Sequence, residues 1–123
     1  MSTLAETSLT QTERRVVDRI VVALRDDLGD ELDAIWLYGS RARGEPPREE
    51  SDVDLIVLIH EPSPERARRV YRSVWDAKAA EDAWEHDFAA RVADREWIAN
   101  RRAIRSFFIQ EVDRDKVVLY GDP

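Results

Sequence analysis

The chain has 123 residues and a net charge of −7, from 26 acidic and 19 basic residues, which predicts a small folded protein and opposes broad binding to nucleic acid. No apolar run approaches the roughly 20 residues that span a membrane, and the N-terminus lacks the basic-then-apolar order of a signal peptide. Because the chain has no cysteine, disulfides and cysteine-ligated zinc are excluded, and we expect a cytoplasmic protein.

The first part of the chain predicts a helix, a buried strand and a loop. Thr10 and Glu13 have the spacing of a capping box, and the apolar residues that follow recur every four positions, which predicts a helix over residues 10–28. The short apolar segment at residues 32–38 predicts a buried strand. The polar segment at residues 44–50 contains prolines and is predicted to be a loop.

The middle of the chain predicts a strand and then an amphipathic helix. Residues 53–60 form the most strand-like segment and are expected to be the central strand. Ser63 can cap a helix and Pro64 suits its first position, so this helix is predicted to run to residue 82. Its apolar face is expected to comprise Val70, Tyr71, Val74 and Trp75.

The last part of the chain predicts a third strand, two helices and a closing strand. Apolar and polar residues alternate over residues 84–92, which predicts a half-buried strand. Asp94 can cap a short helix, and the apolar pattern at residues 104–112 predicts another. Residues 117–120 are predicted to form a short closing strand.

The order of these elements indicates an α+β (mixed α/β) fold, in which a small mixed sheet carries helices mainly on one face. We expect a single domain over residues 9–123, preceded by a flexible N-terminus at residues 1–8.

Two aspartates lie at the start of the predicted central strand. Successive side chains of a strand point to opposite faces, so Asp52 and Asp54 are expected on one face and Val53 on the other. Two neighbouring carboxylates repel each other, and a cation between them relieves the repulsion. Magnesium accepts such oxygen ligands together with substrate phosphates. Aspartates at strand ends are more often simply solvated, so the pair alone does not establish a metal site.

A glycine and a serine follow the first predicted strand. Gly39 lets the backbone approach a ligand closely, and Ser40 adds a hydroxyl group and an amide for an anion. Arg41 and Arg43 bring positive charge that can clamp phosphate oxygens. Each feature alone is more often a turn or a solvated surface. Their conjunction with the aspartate pair favours a site for metal and phosphate.

These residues resemble a known family. Residues 39–44 read Gly-Ser-Arg-Ala-Arg-Gly and residues 51–54 read Ser-Asp-Val-Asp, which resembles the signature of the DNA polymerase β-like nucleotidyltransferase superfamily. The fuller string resembles its small stand-alone branch, the minimal nucleotidyltransferase (MNT) domains. The resemblance implies a nucleotidyltransferase-like fold and the transfer of a nucleoside monophosphate, with AMP from ATP as the expected case, to an acceptor hydroxyl with release of pyrophosphate.

The resemblance also implies roles for individual residues. Gly39 and Ser40 would hold the triphosphate with help from Arg41 and Arg43, and the carboxylates would bind two Mg²⁺ ions. The family has a third carboxylate on a neighbouring strand, which we assign to Asp87, with Glu85 as the alternative on the same predicted face. An ordinary solvent-facing acid is nearly as plausible for Asp87. In family terms the third carboxylate shares the second metal and orients the acceptor hydroxyl.

The acceptor is not specified by the sequence. Small members of this family pair with a helical HEPN-type partner as the antitoxin of a toxin–antitoxin pair, and some adenylylate the toxin, so the resemblance implies a protein acceptor. One alternative is a small molecule of the aminoglycoside type, which would need a further domain or a homo-oligomer. Another alternative is a catalytically degenerate antitoxin that acts by binding only.

Overall fold

A computed structural model describes residues 3–46 and 52–123. Ser51 of the motif, residues 47–50 of the predicted loop, and residues 1–2 of the expected flexible N-terminus lie outside the described residues. The helices are α1 (Gln11–Leu28), α2 (Gly39–Ala42), α3 (Pro64–Ala80), α4 (Arg95–Ala103) and α5 (Phe107–Asp115), and the strands are β1 (Leu32–Tyr38), β2 (Val53–Ile59), β3 (Phe88–Ala93) and β4 (Val117–Gly121).

The four described strands form one mixed sheet in the order β3-β2-β1-β4. Strand β1 is antiparallel to both β2 and β4, whereas β2 and β3 are parallel. The end of β1 therefore lies beside the start of β2, with Tyr38 opposite Asp54. This register brings the two sequence motifs together at one end of the two central strands, although a loop separates them along the chain.

Helices cover both faces of the sheet. The two long helices, α1 and α3, pack on the face that carries Val53 and Leu55, while the shorter α4 and α5 pack on the face that carries Ile56 and Leu58. Trp36 is fully buried on the second face, and its indole N–H donates to the carbonyl of Asp122 at 2.9 Å. Burial on both faces explains why β1 and β2 read as nearly continuous apolar runs.

The predicted helix starts are confirmed by their caps. Thr10 and Glu13 form both hydrogen bonds of the capping box at the start of α1. The Ser63 hydroxyl accepts from the Arg66 N–H at the start of α3, and Asp94 accepts from the Trp97 N–H at the start of α4. No helix in the described ranges is long and apolar enough to cross a membrane.

Two predictions about α3 and the segment that follows it are wrong. The third strand begins at Phe88, not at residue 84, and residues 84–87 belong to the turn over residues 81–87, in which Asp82 has a positive φ of 50°. Tyr71 and Trp75 are exposed, because the side of α3 that faces the sheet is carried by Val70, Val74 and Ala77. A residue one position further along a helix points about 100° away from its predecessor, which turns Tyr71 and Trp75 out of the core.

Candidate active site

The two motif aspartates stand where β2 begins. Asp52 immediately precedes the strand and Asp54 is its second residue, and both side chains are partly buried. Val53 between them is fully buried in the core beneath α1 and α3, as the alternation of side chains predicts. Both carboxylates therefore belong to the face of the sheet that carries α4 and α5.

Gly39 gives the Asp54 carboxylate its place. Gly39 has a φ of +81°, a conformation that side chains rarely adopt, and a Cβ on this residue would lie 2.7 Å from Oδ2 of Asp54. The carboxylate consequently lies against the glycine backbone at the start of α2. A glycine is required here both for the turn and for the approach of Asp54, which the sequence motif alone does not reveal.

The electrostatics of the pair favour a bound cation. Burial, and then the negative charge of Asp52, raises the pKa of Asp54 from 3.8 to about 6. Both effects disfavour the ionised carboxylate, and a divalent cation would oppose both. Asp52 and Asp54 thus have the donor chemistry that Mg²⁺ requires.

The backbone of the proposed third carboxylate residue, Asp87, lies beside the aspartate pair, but its side chain does not form a metal-binding group with them. Asp87 is exposed in the turn before β3, and its carbonyl accepts from the Val53 N–H at 2.9 Å, so its backbone is held beside the start of β2. Glu85 is exposed in the same turn. In the described part of the chain, no group of three Asp, Glu, His or Cys side chains is placed to share a metal ion.

The structure corrects the expected position of Arg41. Its side chain is buried, and its guanidinium donates to both carboxylate oxygens of Glu13 and to the hydroxyl and carbonyl oxygens of Ser8. These bonds use four of the five guanidinium N–H groups, which leaves little capacity for phosphate. Arg41 therefore anchors α2 to the start of α1.

Glu13 is the centre of a buried polar network that the sequence analysis missed. Besides Arg41, it accepts from the Thr10 N–H at 2.9 Å and lies 3.0 Å from Nδ1 of His86. Burial would raise the pKa of Glu13, but the hydrogen bonds from Arg41, Thr10 and His86 hold it below its ordinary value. One signal was available: Glu13 precedes Val16 and Ile20 on the apolar row of α1, so its side chain points inward.

The remaining phosphate-side residues lie at the surface of the same turn. Ser40 is partly buried in the first turn of α2, directly after Gly39. Arg43 is exposed and pairs with Glu45 at 2.9 Å and with Asp115 at 3.7 Å. An exposed cation held this way remains available to an anionic ligand, in contrast to Arg41.

Aromatic side chains and a further arginine border the aspartates. The Tyr38 ring contacts Phe108 edge-on with centroids 5.5 Å apart, and the Arg91 guanidinium lies 5.1 Å from the Phe108 ring centroid. Burial and the charge of Asp54 raise the pKa of Tyr38, while a hydrogen bond with Arg91 opposes the rise. The sequence analysis did not identify this group, because it is assembled from β1, β3 and α5.

Comparisons with known proteins identify the family and the fold. A family model described as a nucleotidyltransferase domain matches residues 17–120. A chain in the crystal structure of a mutant of the toxin-antitoxin MntA-HpeT is similar, with a TM-score of 0.54 and 24% identity over 85% of this chain and 73% of that chain. At this identity the likeness shows the fold, and it confirms the expected nucleotidyltransferase-like architecture. The comparison with curated proteins found no match.

Replacing Gly39 with alanine tests the contact with Asp54. We expect Gly39→Ala to cost more stability than Gly29→Ala, because Gly29 also has a positive φ, of 53°, but has nothing within 4 Å of an added Cβ. The difference should be about 1–3 kcal/mol, the usual range for forcing atoms into a packed site. Urea unfolding of both variants measures it. Equal costs would show that only the backbone conformation matters.

Replacing Asp54 with asparagine tests the carboxylate repulsion. The folded pKa of about 6 exceeds the ordinary 3.8, so the wild type loses stability relative to Asp54→Asn as pH rises from about 4 to about 6. The loss should approach 2 kcal/mol, allowing about 1.4 kcal/mol per pH unit and partial exposure of the group. Thermal unfolding between these pH values checks the difference, and Asp30→Asn at an exposed aspartate is the control. A constant difference across this range would contradict the repulsion.

Removing the Glu13 carboxylate should destabilise the fold, because Glu13 holds the arginine that anchors α2. Glu13→Gln leaves the buried Arg41 guanidinium without its counter-charge, which typically costs about 3–5 kcal/mol. We expect replacement of both Glu13 and Arg41 by methionine to cost less, because no charge is then left buried. Chemical denaturation compares these variants with Glu81→Gln, which removes exposed ion pairs only and should have a small effect. If the double methionine variant is less stable than Glu13→Gln, the argument is contradicted.

Proposed function

The chain belongs to the nucleotidyltransferase domain family, and on that premise we propose that it transfers a nucleoside monophosphate, AMP from ATP, to a hydroxyl group of a partner protein. The observation that carries the proposal is the Asp54 carboxylate, held against the Gly39 backbone beside Asp52 with a raised pKa. A phosphate-side turn and a cation-binding pair thus meet at one point, as the transfer of a nucleotide requires.

In this proposal, different residues of the site bind the metal, the triphosphate and the pyrophosphate. Asp52 and Asp54 would hold Mg²⁺, and the amide and hydroxyl groups of Ser40 would orient the triphosphate at the Gly39 turn. When bound, the metal ions would neutralise triphosphate charge and stabilise the entering and leaving oxygens. Arg43 at the rim would meet the departing pyrophosphate. The acceptor oxygen bonds to the α-phosphorus as the bond to the bridging oxygen breaks.

Asp87 is the residue we propose on the acceptor side. Its backbone is hydrogen-bonded to Val53, between the two motif aspartates, although its side chain is exposed. In the proposed role its carboxylate would turn towards the second Mg²⁺ ion. In that position it would accept or orient the proton of the attacking hydroxyl.

We propose a toxin of the helical HEPN type as the partner, with this chain as the antitoxin. Support comes from the fold, which is similar to a chain crystallised as part of the toxin-antitoxin MntA-HpeT.

A second candidate function is neutralisation of the partner by binding only. The observation that favours it is that the described acidic side chains do not assemble a third ligand beside Asp52 and Asp54. Such a protein would keep nucleotide and metal binding but would leave its partner unmodified.

Calorimetric titration tests the proposed nucleotide site. We expect the wild type to bind a nonhydrolysable ATP analogue only when Mg²⁺ is present, because the triphosphate and the aspartate pair repel each other without the cation. Asp54→Asn should weaken this binding at least about tenfold, the effect of about 1.4 kcal/mol. The exposed Asp30→Asn is the control and should bind as the wild type does. Absence of binding at millimolar analogue would refute the site.

Mass spectrometry of the partner then separates transfer from binding alone. A co-purified partner incubated with the chain, ATP and Mg²⁺ should gain the mass of AMP, and Asp87→Asn should abolish the gain while Glu85→Gln from the same turn leaves it. If the partner stays unmodified but remains bound and neutralised, the binding-only function is correct. If Glu85→Gln alone stops transfer, the assignment of Asp87 is wrong.

A further inference from the structure

One side of α3 presents aromatic side chains to solvent. Tyr71 is 51% exposed and Trp75 is 63% exposed, and Trp84 in the following turn is 47% exposed. The Trp75 and Trp84 rings pack together with centroids 4.9 Å apart, and the Lys78 ammonium lies 5.8 Å from the Trp84 ring centroid. Clustered exposed aromatics are uncommon on free surfaces, and tryptophan and tyrosine dominate the energetics of protein interfaces.

The same side of α3 carries cations at helical spacing. Arg68 and Arg72 lie three or four residues from the exposed aromatics, so they share one face of the helix with them. We call this surface the α3 stripe; it comprises Arg68, Tyr71, Arg72, Trp75, Lys78 and Trp84.

The arginines of the stripe differ from the other arginines of α3. Arg66 and Arg69 form ion pairs with carboxylates elsewhere in the chain, at 2.7 and 3.1 Å. Arg68 and Arg72 are exposed, and within residues 3–46 and 52–123 neither forms an ion pair. In a chain with a net charge of −7, unpaired cations gathered around exposed aromatics indicate complementarity to something acidic.

From this surface we infer that the α3 stripe docks an acidic face of a partner protein. A second copy of the chain fits poorly, because a two-fold contact of the α3 stripe with itself would bring two cationic surfaces together. Nucleic acid fits poorly because the chain is acidic overall and Asp82 and Glu85 lie in the turn beside Trp84.

The inference rests on the proposed function and names the surface that would meet its partner. Trp84 lies three residues before Asp87 in the same turn. A protein docked on the stripe would therefore contact the turn that ends at Asp87, the residue proposed for the acceptor side. This gives the exposed aromatics a function that packing within the chain does not explain.

The experiment begins with the partner in its natural complex. The tagged chain is purified from its own host, the protein that co-purifies is identified by mass spectrometry, and that protein is then produced separately. Calorimetry measures its affinity for the wild-type chain, for Trp75→Ala, Trp84→Ala and Arg72→Glu, and for two controls. The controls are Phe107→Ala, which removes a side chain that is 76% exposed elsewhere, and Arg105→Glu, which makes the same charge change.

We expect Trp75→Ala and Trp84→Ala each to weaken the complex about 30-fold, as truncation of a hot spot does. Arg72→Glu should weaken it most at low salt, because an acidic face of the partner is then repelled. Both controls should bind as the wild type does. Thermal unfolding verifies that the variants stay folded, which is expected because their replaced side chains are largely in solvent.

Several results would overturn the inference. They are an unchanged affinity of the stripe variants, the absence of any co-purified protein, a stripe-dependent dimer in sedimentation, and release of bound nucleic acid by the same substitutions. The nucleotide site is measured separately: the stripe variants should keep the affinity for the Mg²⁺–ATP analogue, and Asp54→Asn should keep the affinity for the partner. Failure of the docking surface and failure of the proposed function are thus distinguishable.

Discussion

The buried ion pair between Glu13 and Arg41 is the interaction on which the candidate site depends. Helix α2 has only four residues and cannot be stable alone, so its position must come from contacts with the rest of the chain. Arg41 supplies them by joining α2 to the capping box of α1, and His86 extends the same network to the turn before β3. Because desolvation offsets much of the Coulombic gain of a buried pair, its main effect is to fix geometry.

That geometry forces two carboxylates into an arrangement that the empty protein does not favour. Asp54 is held between the Gly39 backbone and the charge of Asp52, and its pKa is raised as a result. The raised pKa lowers stability at the pair that we propose to bind the cation, and perturbed pKa values of this kind are typical of functional sites. The repulsion between the two carboxylates persists because the surrounding strands are buried on both faces and are packed too tightly to move apart.

The elements that the sequence predicted best are those with strong local signals. A capping box and a four-residue apolar repeat predict α1, a short apolar segment predicts β1, and a glycine directly follows each element. The structure confirms the bounds of both. The motifs likewise predicted that the end of β1 and the start of β2 contribute to one site, whereas the contact of Gly39 with Asp54 follows from the register of the two strands. What failed depended on tertiary partners. Arg41 in a motif looks like a phosphate ligand until the inward-facing Glu13 is known.

The region after α3 shows a second limit of sequence patterns. Alternation at residues 84–87 resembles a strand, yet a strand also requires a neighbour to pair with, and β3 pairs with β2 only from Phe88. Helical spacing predicts Trp75 on the apolar face of α3, yet both Trp75 and the nearby Trp84 are exposed. Their exposure has a different physical basis: they pack on each other at the surface, beside cations that no carboxylate of the described chain neutralises.

The turn between α3 and β3 links the proposed docking surface to the proposed acceptor side of the site. It carries Trp84 at the α3 stripe, His86 in the network that holds α2, and Asp87 at the start of β3. A protein that docks on Trp84 therefore contacts a segment whose other residues reach both the phosphate side and the acceptor side of the site. Docking would restrict the conformations of this turn, and the exposed Asp87 carboxylate is the group whose orientation such a restriction would change. The same short turn would therefore both bind the proposed partner and orient the carboxylate that completes the proposed site.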